Sequence, residues 1–139
     1  MKTERFFRFI FYTGAAWNFL VSVPLVFLVP FLPSTIQIDP PRYPLFIYFN
    51  LMTVFLFAWI HLIVARSPLE SRSLVTVLLW SKFLTVLVFA ASLLFLPMPA
   101  GLVEFFLPGM IIDFIFGLLF VWCLIVSGRV LVVAPQSSN

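Results

Sequence analysis

The stretch VLLWSKFLTVLVFAA, residues 77–91, holds a single charged residue, Lys82, within a run made mostly of Leu, Val, Phe and Ala. A charge near the centre of a bilayer costs at least about 3 kcal/mol on insertion scales, so it must find a partner or reach water. The surroundings of Lys82 therefore decide how the rest of the chain is organised.

The composition of the whole chain points to a membrane. Of its 139 residues, 63% are hydrophobic and 9% are charged, and the mean hydropathy is +1.19. A soluble domain carries about 25% charged residues, so this chain has too few to cover a globule with polar surface. The net charge is +3, but the lysine and arginine residues are scattered along the chain and form no basic patch. We therefore expect the lipid bilayer as a partner, and no nucleic acid.

Four apolar stretches predict four transmembrane helices in a single domain over residues 1–139. A spanning helix needs about 20 mostly apolar residues. The segments between the stretches are polar or proline-rich, and proline interrupts helical hydrogen bonding. Because the connections are short, the predicted fold is an all-α four-transmembrane-helix bundle with antiparallel neighbours. The predicted spans are residues 9–32, 45–65, 74–96 and 105–127.

Lysine and arginine are divided unequally between the two sets of loops, and this division predicts the orientation of the bundle. Positive loop residues favour the cytoplasmic side of a membrane. Only Arg42 lies on the side away from the termini. We therefore expect both termini in the cytoplasm and the chain in the inner, cytoplasmic membrane. The residues on the side of the termini are Lys2, Arg5, Arg8, Arg66, Arg72 and Arg129.

Matching segments predict an internal duplication. An offset of 64 residues places NFLVSVPLVFLVPFLP, which starts at Asn18, over KFLTVLVFAASLLFLP, which starts at Lys82. An offset of 63 aligns the ends of the second and fourth spans, and Asn50 then corresponds to Asp113. The pattern is typical of a duplicated helical hairpin, here a parallel 2+2 repeat with its pseudo-axis along the membrane normal.

Each predicted helix carries one small or polar face. At about 100° per residue, positions three, four and seven apart share a face. Lipid tails are as apolar as leucine, so helices associate through small residues and interhelical hydrogen bonds. We therefore expect these faces to point into the bundle. They comprise Gly14, Asn18 and Ser22; Asn50, Thr53, Phe57 and His61; Lys82, Thr85, Phe89 and Ser92; and Gly109, Asp113 and Gly117.

Lys82 and Asp113 are the two charges within the spans, and helix geometry allows them to pair. With about 1.5 Å of rise per residue, both lie within a few Å of the midplane, as do Asn18 and Asn50. The pair is feasible directly, or through Asn50 or a water molecule. Three interpretations stay open: the pair fixes helix register, it forms a site for a lipid or quinone headgroup, an ion or a proton, or Lys82 extends towards the interface.

His61 is the only histidine, and it interrupts the repeat because it corresponds to Leu124. From the bundle interior it can ligate the metal of a haem or chlorin, hydrogen-bond a quinone, or bond a neighbouring helix. The sequence identifies no cofactor, no metal site and no catalytic residue. The candidate ligand-binding or structural polar centre comprises Asn18, Asn50, His61, Lys82 and Asp113.

Short motifs give the chain a resemblance to a known group. They are GAAWN in the first span, ARSP after the second, SKF in the third and IDF in the fourth. Together they resemble small bacterial four-helix integral membrane proteins of the DoxX-like group, over nearly the whole chain. Some DoxX-type proteins are associated with quinone-linked redox complexes, so the resemblance implies an accessory or quinone-proximal role. It carries over no catalytic residue.

These observations favour a non-catalytic integral membrane protein. We expect an accessory subunit, or a binder of a lipid-like or quinone-like apolar ligand in the bundle core. The alternative is a small oligomeric transporter, coupled to ions or protons, that uses Asp113 and Lys82. A protein partner in a larger membrane complex, or a homo-oligomer, fits either hypothesis. One cysteine, Cys123, excludes an internal disulfide, and no nucleophile–base pair, metal set or phosphate loop favours an enzyme.

Overall fold

The structure is a computed structural model that describes residues 2–35 and 44–133, without the side chains of residues 129–133. Arg42 and the side chain of Arg129, which enter the predicted orientation, lie outside this description. The described residues form five helices and no strand. The helices are α1 (Lys2–Leu28), α2 (Leu32–Thr35), α3 (Leu45–Arg66), α4 (Arg72–Phe95) and α5 (Ala100–Val133).

Four helices within the described ranges are long and apolar enough to cross a membrane: α1, α3, α4 and the Ala100–Gly128 part of α5. This finding indicates a multi-pass membrane protein. It also confirms the prediction of an all-helical fold built on four long apolar helices. The orientation of the termini and the duplicated hairpin stay predictions.

The first helix lies nearer the amino terminus than predicted. It begins at Lys2 rather than at residue 9, because charged residues of the first turns also form helix. Among them, Arg8 Nη2 donates to Glu4 Oε1 at 2.8 Å, four residues apart on the exposed surface. The helix ends at Leu28, two residues before Pro30, since proline disfavours helical geometry in the residue before it.

The last helix is longer than its apolar stretch. It begins at Ala100 rather than 105, and the carbonyl oxygen of Pro99 accepts hydrogen bonds from Leu102 and Val103 at 3.0 and 3.2 Å. It continues to Val133, so its 34 residues extend about 50 Å, well beyond a hydrocarbon core of about 30 Å. Hydropathy marks the part inside the membrane and not the ends of the helix.

The helices form two hairpins. α1 packs mainly on α3 and α4 mainly on α5, while fewer contacts join one hairpin to the other. The connection between α3 and α4 comprises only residues 67–71, which makes these helices antiparallel neighbours. This short connection is held from the last helix, because Cys123 Sγ donates to the carbonyl oxygen of buried Pro68 at 3.8 Å.

The buried core lies in one half of the bundle, here called the terminal half because it contains the start of α1 and the end of α5. Aromatic rings join the hairpins there: Phe11 stacks on Phe120 with centroids 5.0 Å apart, and Phe7 meets Trp122 at 5.4 Å. The opposite half is called the distal half. The core residues are Phe7, Ile10, Phe11, Val64, Ala65, Val75, Leu78, Phe116, Phe120 and Cys123.

Glycines bring helices together at two places. A Cβ atom on Gly14 would lie 2.6 Å from His61 Cδ2, so α1 and α3 approach more closely than any larger residue allows. In the other hairpin, a Cβ atom on Gly117 would lie 3.1 Å from the ring of Phe83. The predicted seam along α5 is therefore tight at Gly117, while Gly109 faces Trp17 at an ordinary 3.9 Å.

Candidate functional site

Lys82 binds two side chains from two other helices. Its Nζ atom donates to Asp113 Oδ1 at 2.6 Å and to Asn18 Oδ1 at 3.0 Å. The side chains of Lys82 and Asp113 are only 7% and 13% exposed. Because the ammonium group is held among α1, α4 and α5, Lys82 does not extend to the interface. The direct contact also needs neither Asn50 nor a water molecule as a bridge.

The cluster lies near the middle of the membrane-crossing helices. Lys82 is the eleventh of 24 residues in α4, and Asp113 is the fourteenth of 29 in the apolar part of α5. At about 1.5 Å per residue, both lie within about 3 Å of the centre of their helices. Hydrocarbon offers no other partner at this depth, so each charge depends on the other.

The cluster also marks the distal limit of the buried core. Lys82 is the last buried residue of α4, and Phe116, three residues after Asp113, is the first buried residue of α5. The terminal side of the cluster is therefore packed with apolar side chains. On its distal side, α4 and α5 bury no residue fully.

The cluster keeps hydrogen-bonding capacity for a further group. Asp113 Oδ2, the amide nitrogen of Asn18 and one of the three N–H groups of Lys82 have no hydrogen-bond partner in the described residues. One is an acceptor and two are donors. A molecule that carries both an O–H group and a second oxygen can use all three.

The inward faces of α3 and α4 are uncovered in the distal half. Asn50 precedes His61 by 11 residues, so the directions of the two side chains around the axis of α3 differ by only about 20°. His61 is nevertheless 0% exposed, whereas Asn50 is exposed. On α4, Leu93 follows Lys82 by the same interval and is 42% exposed. We call this region the distal inner surface; it comprises the exposed residues Asn50, Thr53, Thr85 and Leu93 and the half-buried rings of Phe57 and Phe89, of which Phe57 also packs against the core.

Asn50 and His61 are the two predicted site residues that do not join the cluster, and Asn50 is not even covered by another helix. Its side chain is exposed and makes no hydrogen bond within the described residues. The helical pattern placed Asn50 on the correct face of α3, but the other hairpin does not cover that face at its level. By contrast, the hydroxyls of Thr53 and Thr85 bond the carbonyl oxygens of Phe49 and Ser81 in their own helices.

His61 is buried but contacts its own helix. Its Nδ1 atom donates to the carbonyl oxygen of Phe57 at 2.7 Å, and Nε2 has no hydrogen-bond partner in the described residues. The ring packs beside Phe11 and Phe120. A Cβ atom on Gly14 would lie 2.9 Å from Nε2, so the ring must move before this nitrogen can ligate a metal or bond a ligand.

An apolar cavity of about 380 Å³ lies between α1 and α3 in the distal half. The cavity lies on another flank of α3 than Asn50. Ser22, one turn after Asn18 on α1, is one of its polar lining residues, and its hydroxyl donates to the carbonyl oxygen of Asn18 at 2.7 Å. Pro24, inside α1, lies in the same part of that helix. Its lining is Ser22, Val23, Val26, Phe27, Tyr48, Leu51, Met52 and Phe55.

Within the described parts of the chain, no group of three or more His, Cys, Asp or Glu side chains is placed to hold a metal ion. No family model matches the chain, and no curated protein or solved structure is significantly similar to it. The resemblance to DoxX-like proteins therefore stays an expectation. The site has to be interpreted from its own geometry.

Removing one charge of the pair should destabilise the protein more than removing both. Lys82→Leu leaves Asp113 buried without a partner, which costs about 3–5 kcal/mol, whereas Lys82→Leu with Asp113→Leu leaves no unpaired charge. Thermal unfolding in detergent measures the order of stability. Thr85→Val, one turn along α4 and exposed, is the control and should change little. Equal losses in the single and double variants would mean that the two side chains do not meet.

Proposed function

We propose that this chain is a non-catalytic integral membrane protein that binds a lipid-like or quinone-like ligand. The polar head of the ligand lies at the cluster of Lys82, Asp113 and Asn18, and its apolar part lies along the distal inner surface. One observation carries the proposal: a buried ion pair at mid-membrane depth keeps open hydrogen-bonding groups where the packed core ends.

The burial pattern supports a ligand in preference to a purely structural role. A pair that served only to fix helix register would be surrounded by packed side chains on both sides. Here the terminal side is packed, while Asn50 and Thr85 on the distal side are exposed. Aromatic residues such as Phe89 and apolar ones such as Leu93 provide a surface suited to an acyl or prenyl chain.

The same pattern favours binding over transport. A transporter that uses Asp113 and Lys82 needs a path from the pair to both membrane surfaces. In the terminal half that path is filled by the stacked rings of Phe11 and Phe120 and by the buried His61. An accessory-subunit role is compatible with ligand binding, since a partner protein can cover the rest of the exposed apolar surface.

We further propose that both termini lie in the cytoplasm and that the protein lies in the cytoplasmic membrane. The excess of Lys and Arg on the side of the termini supports this orientation. A carboxy-terminal alkaline phosphatase fusion should be inactive, and a green fluorescent protein fusion at the same end should fluoresce. Active phosphatase with a dark fluorescent protein would reverse the orientation.

A molecule bound at the cluster should remain with the protein after gentle extraction. Native mass spectrometry of the wild type should show a retained small molecule, which fragmentation then identifies. The double variant Lys82→Leu with Asp113→Leu should lose it, because the head would meet only apolar groups. Leu94→Ala, on the exposed lipid-facing side of α4, is the control and should retain it.

A wild-type monomer without any retained molecule would contradict the ligand proposal. A retained protein in place of a small molecule would instead favour an accessory subunit. Equal retention by the wild type and the double variant would place the bound molecule elsewhere, for which the apolar cavity beside Ser22 is the first candidate.

A further inference from the structure

We propose, on the basis of the proposed function, that the ligand has an uncharged head with a hydroxyl group beside a second oxygen. The inference comes from the charge balance and the open hydrogen-bonding groups of the cluster. It narrows the ligand from lipid-like molecules in general to one chemical class. Diacylglycerols, and hydroquinones that carry an apolar chain and a methoxy group next to a hydroxyl, are two sources of this chemistry.

The cluster has no net charge to offer a ligand. Lys82 and Asp113 together carry one positive and one negative charge, and they sum to zero whichever of them holds the shared proton. Asn18 is neutral. Glu104, on the same helix as Asp113, lies nine residues away and points about 180° from it, and it is exposed.

The distal inner surface adds no charge either. Its six residues are Asn, Thr, Phe and Leu. A phosphate head at this depth would leave its negative charge uncompensated, and an amine head would leave its positive charge uncompensated. Either costs much free energy in hydrocarbon, whereas an uncharged head whose hydrogen bonds are made by the cluster costs far less.

The open groups specify which uncharged head fits. Asp113 Oδ2 accepts a hydrogen bond, so it selects an O–H donor on the ligand. The Asn18 amide and the remaining N–H of Lys82 donate, so they select an oxygen acceptor. A hydroxyl next to a second oxygen supplies both partners. An ester without a hydroxyl group lacks the hydrogen-bond donor, and a plain alkane lacks both the donor and the acceptor.

The test is a comparison of short-chain probes on the purified protein in phosphatidylcholine nanodiscs. Dioctanoylglycerol and a decylhydroquinone with a methoxy group next to one hydroxyl represent the two neutral sources. Dioctanoyl phosphatidylglycerol represents the anionic class, and sphingosine the cationic class. Native mass spectrometry at equal probe concentration measures occupancy. We expect at least one neutral probe to exceed both charged probes by about tenfold or more. The preferred neutral probe distinguishes the two sources.

Two variants should change the preference in opposite directions. Asp113→Asn keeps an oxygen for Lys82 but makes the site positive, so phosphatidylglycerol should become the preferred probe. Asn18→Asp also keeps the contact to Lys82 but makes the site negative, so sphingosine should be preferred. Glu104→Gln makes the same charge change as Asp113→Asn on the opposite face of α5, and it should leave the neutral preference intact.

The outcomes separate this inference from the proposed function. Tighter binding of phosphatidylglycerol or sphingosine by the wild type would overturn the uncharged-head inference while leaving ligand binding in place. Binding of no probe, with an unidentified molecule still retained after extraction, would overturn this head chemistry alone. Binding of no probe together with nothing retained would overturn both.

Discussion

The ion pair between Lys82 and Asp113 in the middle of a hydrocarbon layer is the constraint on which the structure depends. Neither charge can remain there alone, so α4 and α5 must present the two side chains to each other. Asn18 then connects this hairpin to α1 through the same ammonium group. Because the three residues lie together, the two charges can stay inside helices that are otherwise apolar.

The same pair divides the bundle into two unlike halves. Towards the termini, stacked aromatic rings close the space between the hairpins, and Gly14 allows α1 and α3 to pack closely within one of them. Away from the termini, α1 continues to pack on α3, but the inward faces of α3 and α4 are uncovered. We infer that the sealed half provides stability and that the uncovered half receives the ligand. The charged pair at the boundary provides the polar group that a ligand head can recognise.

Much of the fold could be predicted from the sequence, because the membrane limits the choices. Length and hydropathy gave four spanning helices, and the periodicity of polar residues placed Asn18, Lys82 and Asp113 on faces that meet. The same periodicity failed at Asn50, since it reports the direction of a side chain and not whether another helix covers it. The predicted repeat, which relates Asn50 to Asp113, also could not show whether another helix covers Asn50. Helix starts were misplaced where segments with charged residues, such as residues 2–8 of α1 and residues 100–104 of α5, still form helix outside the apolar stretch.

The most direct test of the account is a distance measurement between the two charged groups in a lipid bilayer. The chain has only two lysines, Lys2 and Lys82, and two aspartates, Asp39 and Asp113, so selective labelling of Lys with ¹⁵N at Nζ and of Asp with ¹³C at Cγ gives few signals. Solid-state NMR should show one lysine signal strongly dephased by an aspartate carboxyl carbon, with Lys2 as the internal reference. Two lysine signals that are both unaffected would contradict the buried pair and everything inferred from it.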